Sequence, residues 1–306
     1  MIQATTLDIG GTSLQVSNVN KVFYPRTGFT KGDMINYYIR ISEVLLPHLR
    51  RRPVTLKRYP DGVDGFFFYE KHCPTSRPRW MKTAKVAKSD GSDIHYCVIE
   101  TLPALVWAAN MANLEFHTFL HKFPNLDRPT SLAFDLDPGP PADILTCCEV
   151  ALHLNSVFES LKLKAFPKTS GSKGMQIYVP LNSAVTYDDT KNFAHELSMS
   201  MEREFPKLVV SKMSKALRAG KVFMDWSQND DAKTTVCVYS LRGKERPTVS
   251  TPLTWEEVAT AQRKKKVSLL TFEADQVLQR VTKRGDLFAE VLTLRQKLPR
   301  VKTSIV

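Results

Sequence analysis

Strand-like and helix-like segments alternate along all 306 residues, with no internal repeat and no low-complexity linker, which predicts a mixed α/β or α+β fold. Apolar residues make up 42% of the chain, enough for a substantial core in one large domain or two small ones. The third observation is local. The apolar run "SLAFDLD" at residues 131–137 carries two carboxylates at its end and is stopped by Pro-Gly-Pro-Pro, as a strand leaving a sheet would be.

Taken in order, "TKGDMINYYIRISEVLLPHL" opens with Thr30 and places Asp33 three residues later, a capping-box start to a helix. "RPVTLKRYP" and "GFFFYEKH" are short strands around a turn at Asp61-Gly62. "TLPALVWAANMANLEFHTF" reads as a helix buried on most sides, with His117 near its end. "ADILTCCEVALHLNSVFESLKL" and "DDTKNFAHELSMSMEREFP" are helices, and "FPKTSGSKGMQIYVPL" is a small-residue loop running into a strand. "KVFMDWSQ" and "TTVCVYSL" read as adjacent strands joined by a polar loop. The tail from Thr254 is helical, with a solvated basic run at Arg263–Lys266. A proline-containing loop near Arg128 marks the expected boundary between an N-terminal lobe (1–128) and a catalytic lobe (129–306) of one unit, 1–306, whose lobes do not fold independently.

The formal net charge of +12 points to a polyanionic partner, nucleic acid before a merely basic soluble protein. No apolar run reaches the 18 residues expected of a membrane span, and the N-terminus lacks a signal-peptide pattern. Cys73, Cys97, Cys147, Cys148 and Cys237 are odd in number and never spaced C-x-x-C, which argues against a disulfide framework or a zinc site and fits a reducing cytoplasm.

Residues i and i+2 of a strand share a face, so Asp135 and Asp137 project side by side while Leu136 turns into the core. Adjacent like charges repel unless a cation lies between them, and paired carboxylates suit Mg²⁺ or Mn²⁺. The bland alternative is a pair of exposed turn aspartates capping the next helix. Asp225, at the end of "KVFMD", adds a third strand-end acid; three such acids could hold two ions about 4 Å apart, as in phosphoryl and nucleotidyl transfer. "KTSGSKG" at 168–174 gathers glycine N–H groups, two hydroxyls and two ammonium groups suited to a triphosphate, without Walker A spacing. Arg242 lies just past a strand and offers a planar guanidinium to a phosphate; a surface arginine is the commoner fate. His117 by pattern alone is an ordinary core or surface histidine. "LRRRPVTLKRYPDG" and "NKVFYPRTGFTKGD" interleave basic and aromatic residues, a composition suited to phosphate contact and base stacking.

Together, "NKVFYPRTGFTK", "RRPVTLKRYPDG", "ALVWAANMANLEFH", "FDLDPGP", "KTSGSKGMQIYVPL" and "DWSQNDDAKTTVCVYSLRG" resemble the polymerase domain of bacterial ligase D, of the archaeo-eukaryotic primase superfamily. The resemblance spans residues 15–295 and suggests a stand-alone version. It implies an α+β, two-lobed primase-like fold whose central, mostly antiparallel sheet carries the acidic site between flanking helices. It also implies a DNA-dependent nucleotidyltransferase of non-homologous end joining that fills gaps and extends 3′ ends at 5′-phosphorylated breaks, often preferring NTPs over dNTPs. The implied roles are two Mn²⁺ or Mg²⁺ ions on Asp135, Asp137 and Asp225, which are the catalytic acids; nucleotide contacts from His117, Ser170, Ser172, Lys173, Gln176, Arg242 and Lys57; the DNA 5′-phosphate on Lys21 and Lys31; and template stacking on Phe68 and Tyr69. A separate DNA ligase and a Ku-like protein are the implied partners, with a monomer at the nucleoid in the cytoplasm as the expected state.

One position departs from the family pattern. "GMQIYVPL" has Gln176 where relatives usually carry histidine, and glutamine donates a hydrogen bond but carries no charge. That predicts weaker triphosphate binding, less sensitive to acid. A metal-dependent nuclease would use the same acids and cut DNA without nucleotide. A nucleotide-sugar glycosyltransferase also uses D-x-D but has no need of the net charge. A non-catalytic end-binding module would tolerate loss of Asp135.

Overall fold

The computed structural model describes residues 4–87 and 90–299. It is a mixed chain with six α-helices among the described residues and sheets that are almost wholly antiparallel, as the sequence predicts. It divides into two compact units. The first gathers the chain up to Pro124 with Thr234–Ser250 and Phe272–Asp286; the second holds Asn125–Lys233, Thr251–Thr271 and the chain from Leu287 on.

In the first unit, the strands Pro53–Arg58 and Asn113–Thr118 pair antiparallel at the centre of a six-stranded sheet. The helix Lys31–Leu49 starts at Thr30 with the expected capping box, Thr30 and Asp33 each satisfying the other's backbone N–H. Its buried stripe of Met34, Ile35, Tyr38, Ile41 and Leu45 has helical spacing. The segment after Thr101 departs from expectation. It is a helix only over Leu102–Asn110, then passes through Ala112 in the left-handed region (φ 60°) into the strand Asn113–Thr118. Leu114 and Phe116 are buried at alternate positions, a period of two that the apolar helix upstream had masked. His117 therefore lies on a sheet. The strand in "TTVCVYSL" is likewise not partnered with "KVFMD": Thr235–Val236 pairs with Asn113–Thr118, while Val222–Asp225 belongs to the other unit's sheet.

The cysteine reading also needs correction. Cys73 and Cys97 form a disulfide, because the chain leaving the strand Phe68–Glu70 runs back beside Asp93–Val98 and brings their Cα atoms to 4.9 Å. Proximity across a sheet edge is invisible in residue spacing. Cys147, Cys148 and Cys237 are buried thiols. Among the described residues no helix is long and apolar enough to cross a membrane.

The second unit is built on a five-stranded sheet with the acidic strand Ser131–Pro138 at its centre. Met175–Pro180 flanks it on one side and Val222–Asp225 on the other, both antiparallel. Phe166–Thr169 pairs outside Met175–Pro180, so "FPKTSGSKGMQIYVPL" is a hairpin rather than a loop entering one strand. Beyond Asp225 the neighbouring strand turns away in the 3₁₀ turn Trp226–Gln228. The buried amide of Asn229 takes over its pairing: Oδ1 accepts from Ala133 N–H at 2.9 Å and Nδ2 donates to Ala133 C=O at 2.7 Å. Asn229→Ala leaves both backbone groups unpaired in the core, at about 2–4 kcal/mol. Calorimetry should show a melting temperature lowered by several degrees, whereas Asp188→Ala on the exposed first turn of its helix should stay close to wild type.

Candidate active site

The acidic strand is amphipathic by alternation. Leu132, Phe134 and Leu136 are buried on one face; Asp135 is half-buried and Asp137 exposed on the other. Register then extends the polar row across the sheet. Asp135 stands opposite Asp225 on one side and Gln176 on the other, and Gln176 stands opposite Lys168. Four neighbouring strands thus present lysine, glutamine and two aspartates in line. The three acids singled out from sequence share this sheet, as does Gln176.

Burial, followed by the charge of Asp137, pushes the Asp135 carboxyl above the usual range; a hydrogen bond from Gln176 and the charge of Lys168 act the other way. Asp137 is raised by burial and by Asp225, with Arg218 and Lys173 opposing. Asp225 accepts from the Ser227 N–H (2.9 Å) and hydroxyl (2.6 Å) through Oδ1 and from Gln228 through Oδ2 (3.1 Å). Those bonds hold it to its own turn. Among the described residues no three His, Cys, Asp or Glu side chains close into a ready metal cage. The donor set nevertheless fits a hard divalent cation: it is all carboxylate, Asp137 holds the Asp135 proton affinity up, and the buried Gln176 Oε1 beside Asp135 has no hydrogen-bond partner.

The hairpin loop Ser170–Gly174 lies in the same unit. Ser170 is buried, its N–H donating to Gly174 C=O and its Oγ accepting from the N–H groups of Ser172 and Gly174. Gly171 takes a positive φ of 68°, while Ser172 and Lys173 are exposed at the tip. Ser170 therefore shapes the loop, and the outward groups are Ser172 and Lys173. Gly174 has no room for a side chain, since a Cβ would lie 2.1 Å from the carbonyl oxygen of Leu136.

In the first unit, three predicted nucleotide contacts meet on one residue that the sequence reading passed over. Glu115 is fully buried, and its carboxylate accepts from His117 Nε2 (2.9 Å), Arg242 Nε (3.1 Å) and Lys57 Nζ (3.2 Å). The ammonium of Lys57 also lies 4.4 Å from the Phe67 ring centre and 5.4 Å from that of Tyr69. Burial lowers the His117 pKa, against the pull of Glu115.

The aromatic run divides by face. Tyr69 (54% exposed) and Phe67 lie on the Lys57 side, and Phe66 (72% exposed) stacks on Phe68, which is half-buried over the Arg58 guanidinium. The sequence reading picked Phe68 and Tyr69; Phe66 and Phe67, beside them in the run, are exposed as well. Lys21 is at the surface, bonded to Asp61 Oδ1 at 2.7 Å and Pro60 C=O at 2.8 Å. Lys31 is buried, with Nζ donating to Ser17 C=O and Asn110 Oδ1; burial, then the charges of Lys21 and Arg58, pulls its pKa down to about 8. Lys21 and Lys31 thus feel each other's charge but are both already anchored.

The match to the family described as "LigD, primase-polymerase domain" extends over residues 30–288. The chain belongs to that family. It is therefore among the nucleotidyltransferases of the primase-polymerase superfamily. The multifunctional non-homologous end joining protein LigD of Mycolicibacterium smegmatis is 40% identical over 278 residues, covering 90% of this chain and 36% of the relative. The bifunctional LigD of Bacillus subtilis is 34% identical, covering 89% and 43%. The chain thus spans well under half the length of these curated relatives. A solved structure, the polymerase domain from Mycobacterium tuberculosis ligase D in complex with DNA, superposes with a TM-score of 0.86 at 38% identity, covering 92% of this chain and 99% of that one. The primase-like fold expected from the resemblance is thereby shown for this LigD-family chain.

Because the clash at Gly174 is with backbone, Gly174→Ala should force the hairpin away from the acidic strand at about 1–3 kcal/mol. The expected result is a lowered melting temperature together with loss of activity larger than Ser172→Ala produces; wild-type melting and activity in Gly174→Ala would show that the loop does not press on the acidic strand.

Proposed function

We propose that the chain is a DNA-repair polymerase that fills gaps and extends 3′ ends at 5′-phosphorylated breaks, with NTPs preferred to dNTPs. The observation that carries the reading is Asp135 directly across from Asp225, with Asp137 two residues on along the same strand, in a member of this family. Asp135, Asp137 and Asp225 would hold Mn²⁺ or Mg²⁺. When bound, such ions activate a 3′-hydroxyl and stabilise the departing pyrophosphate. The chain's own groups supply the rest. Lys173 and Ser172 reach the triphosphate from the hairpin tip, and Arg242, His117 and Lys57 add a guanidinium, an imidazole and an ammonium to neutralise its charge. Gln176 orients Asp135 through its hydrogen bond. Lys21 and Lys31 take the 5′-phosphate of the downstream strand, and Tyr69 with its aromatic neighbours stacks on template bases. Phosphate contacts position DNA without reading sequence, so specificity for sequence is low. A Ku-like end-binding protein and a DNA ligase activity complete the repair, the chain acting as a monomer on DNA in the cytoplasm and as a single catalytic unit over residues 1–306.

Primer extension on a gapped duplex with a downstream 5′-phosphate tests this, with Mn²⁺ and Mg²⁺ and with NTPs against dNTPs. Asp137→Ala should lose extension by at least about a thousandfold. Its melting temperature without metal should equal or exceed that of wild type, since one of three mutually repelling carboxylates is gone. DNA binding with no nucleotide added under either metal would sink the polymerase reading in favour of an end-binding module; strand cleavage without nucleotide would favour the nuclease.

A further inference from the structure

We propose that Glu115 is a positioning residue for nucleotide binding: one buried carboxylate fixes the imidazole of His117, the guanidinium of Arg242 and the ammonium of Lys57 in the arrangement that receives the triphosphate. This deepens the polymerase reading and rests on it.

The strand Asn113–Thr118 turns Leu114 and Phe116 into the core, which sends Glu115 and His117 to the opposite face. Lys57 stands directly across from Glu115 in the neighbouring strand. The carboxylate is saturated. Oε1 accepts from Lys57 Nζ, from Tyr59 OH at 3.0 Å and from Gly243 N–H at 2.9 Å; Oε2 accepts from His117 and Arg242. An ionised carboxylate offers about four lone-pair directions, so no room is left for a rotamer that drops a partner without orphaning a buried donor.

Two consequences follow for the ligand. An ionised Glu115 only accepts, so the His117 proton is on Nε2, and any further proton goes to Nδ1. Arg242 is gripped through Nε, which fixes the plane of its guanidinium. Burial would otherwise favour neutral histidine, and Glu115 opposes that; it is itself held well below the usual carboxylate range by His117, Arg242 and Lys57 despite its burial. The same carboxylate thus gathers a lysine and an arginine in one place, where a polyanion would meet both. Gly243 fits the same design: a Cβ there would lie 2.2 Å from the Tyr59 hydroxyl and displace it from Glu115.

The opposing view treats Glu115 as a plain counter-ion that shields the cations, so that removing it would strengthen triphosphate binding. The experiment compares wild type with Glu115→Gln and Glu115→Asp in the full chain. It measures steady-state KM and kcat for NTP on gapped DNA, the Kd for ATP with Mn²⁺ by calorimetry, the Kd for the 5′-phosphorylated DNA, and cooperative thermal melting. Glutamine keeps the shape but cannot accept from all the donors; aspartate keeps the charge but withdraws it by one methylene. Each folded variant should raise KM and the ATP Kd about tenfold or more, with kcat changed less than about threefold and DNA affinity unchanged. In Glu115→Gln the pH above which KM rises should move to lower values, because protonated His117 has lost its anionic partner. An unchanged or lowered KM in either folded variant overturns the proposal, and aspartate decides it where glutamine prevents folding. A wild-type chain that neither binds ATP nor extends a primer overturns the polymerase reading and this inference with it.

Discussion

The register of one strand is the constraint on which the acidic site depends. Shifted by a single residue against its neighbours, Ser131–Pro138 would bury Asp135 and Asp137 and expose Leu132, Phe134 and Leu136. Three independent contacts resist that slip. The apolar residues fill the core on one face, the hairpin glycine Gly174 presses against the Leu136 carbonyl, and Asn229 pairs both backbone groups of Ala133. Because Asn229 follows closely on Asp225, the same anchor that pins the acidic strand fixes the turn carrying the third acid.

Each unit carries charge that it does not balance internally. Around the acidic strand, neighbouring carboxylates raise the proton affinity of Asp135 and Asp137, and the nearby cations only reduce the effect. Around Glu115 the imbalance has the other sign, two fixed cations and a histidine meeting one anion. Such arrangements cost folding free energy and persist where a ligand relieves them. Under the polymerase reading proposed above, the acids would take divalent cations and the Glu115 cluster would take phosphate.

Much of this could be read from sequence because it follows local rules. The capping box at Thr30 needed only its spacing, and the Asp135–Leu136–Asp137 alternation needed only the period of a strand. What escaped depended on partners far along the chain. "NLEFHT" was absorbed into the preceding helix, since a buried helix and a buried strand look alike over a few residues. With that strand went Glu115, whose five donors come from segments ending more than a hundred residues away at Gly243. Lys168 was read as a loop cation and is a buried strand residue; Cys73 and Cys97 met only because two strands placed them together.

Gln176 shows how a departure from family pattern is absorbed by its surroundings. It occupies the cross-strand position beside Asp135, where its amide donates to the carboxylate whatever the pH. A histidine there would add positive charge only when protonated, and so would couple the acidic row to pH through two kinds of group. With glutamine, the electrostatic help in that row comes from Lys168, one strand further out and buried, which draws Asp135 toward its ionised form. The glutamine thus supplies the hydrogen bond that orients Asp135 without a titratable charge of its own. The unpartnered Oε1 is the residue of that exchange: an imidazole has no carbonyl oxygen to bury, and the glutamine brings one that a cation or an incoming donor can satisfy.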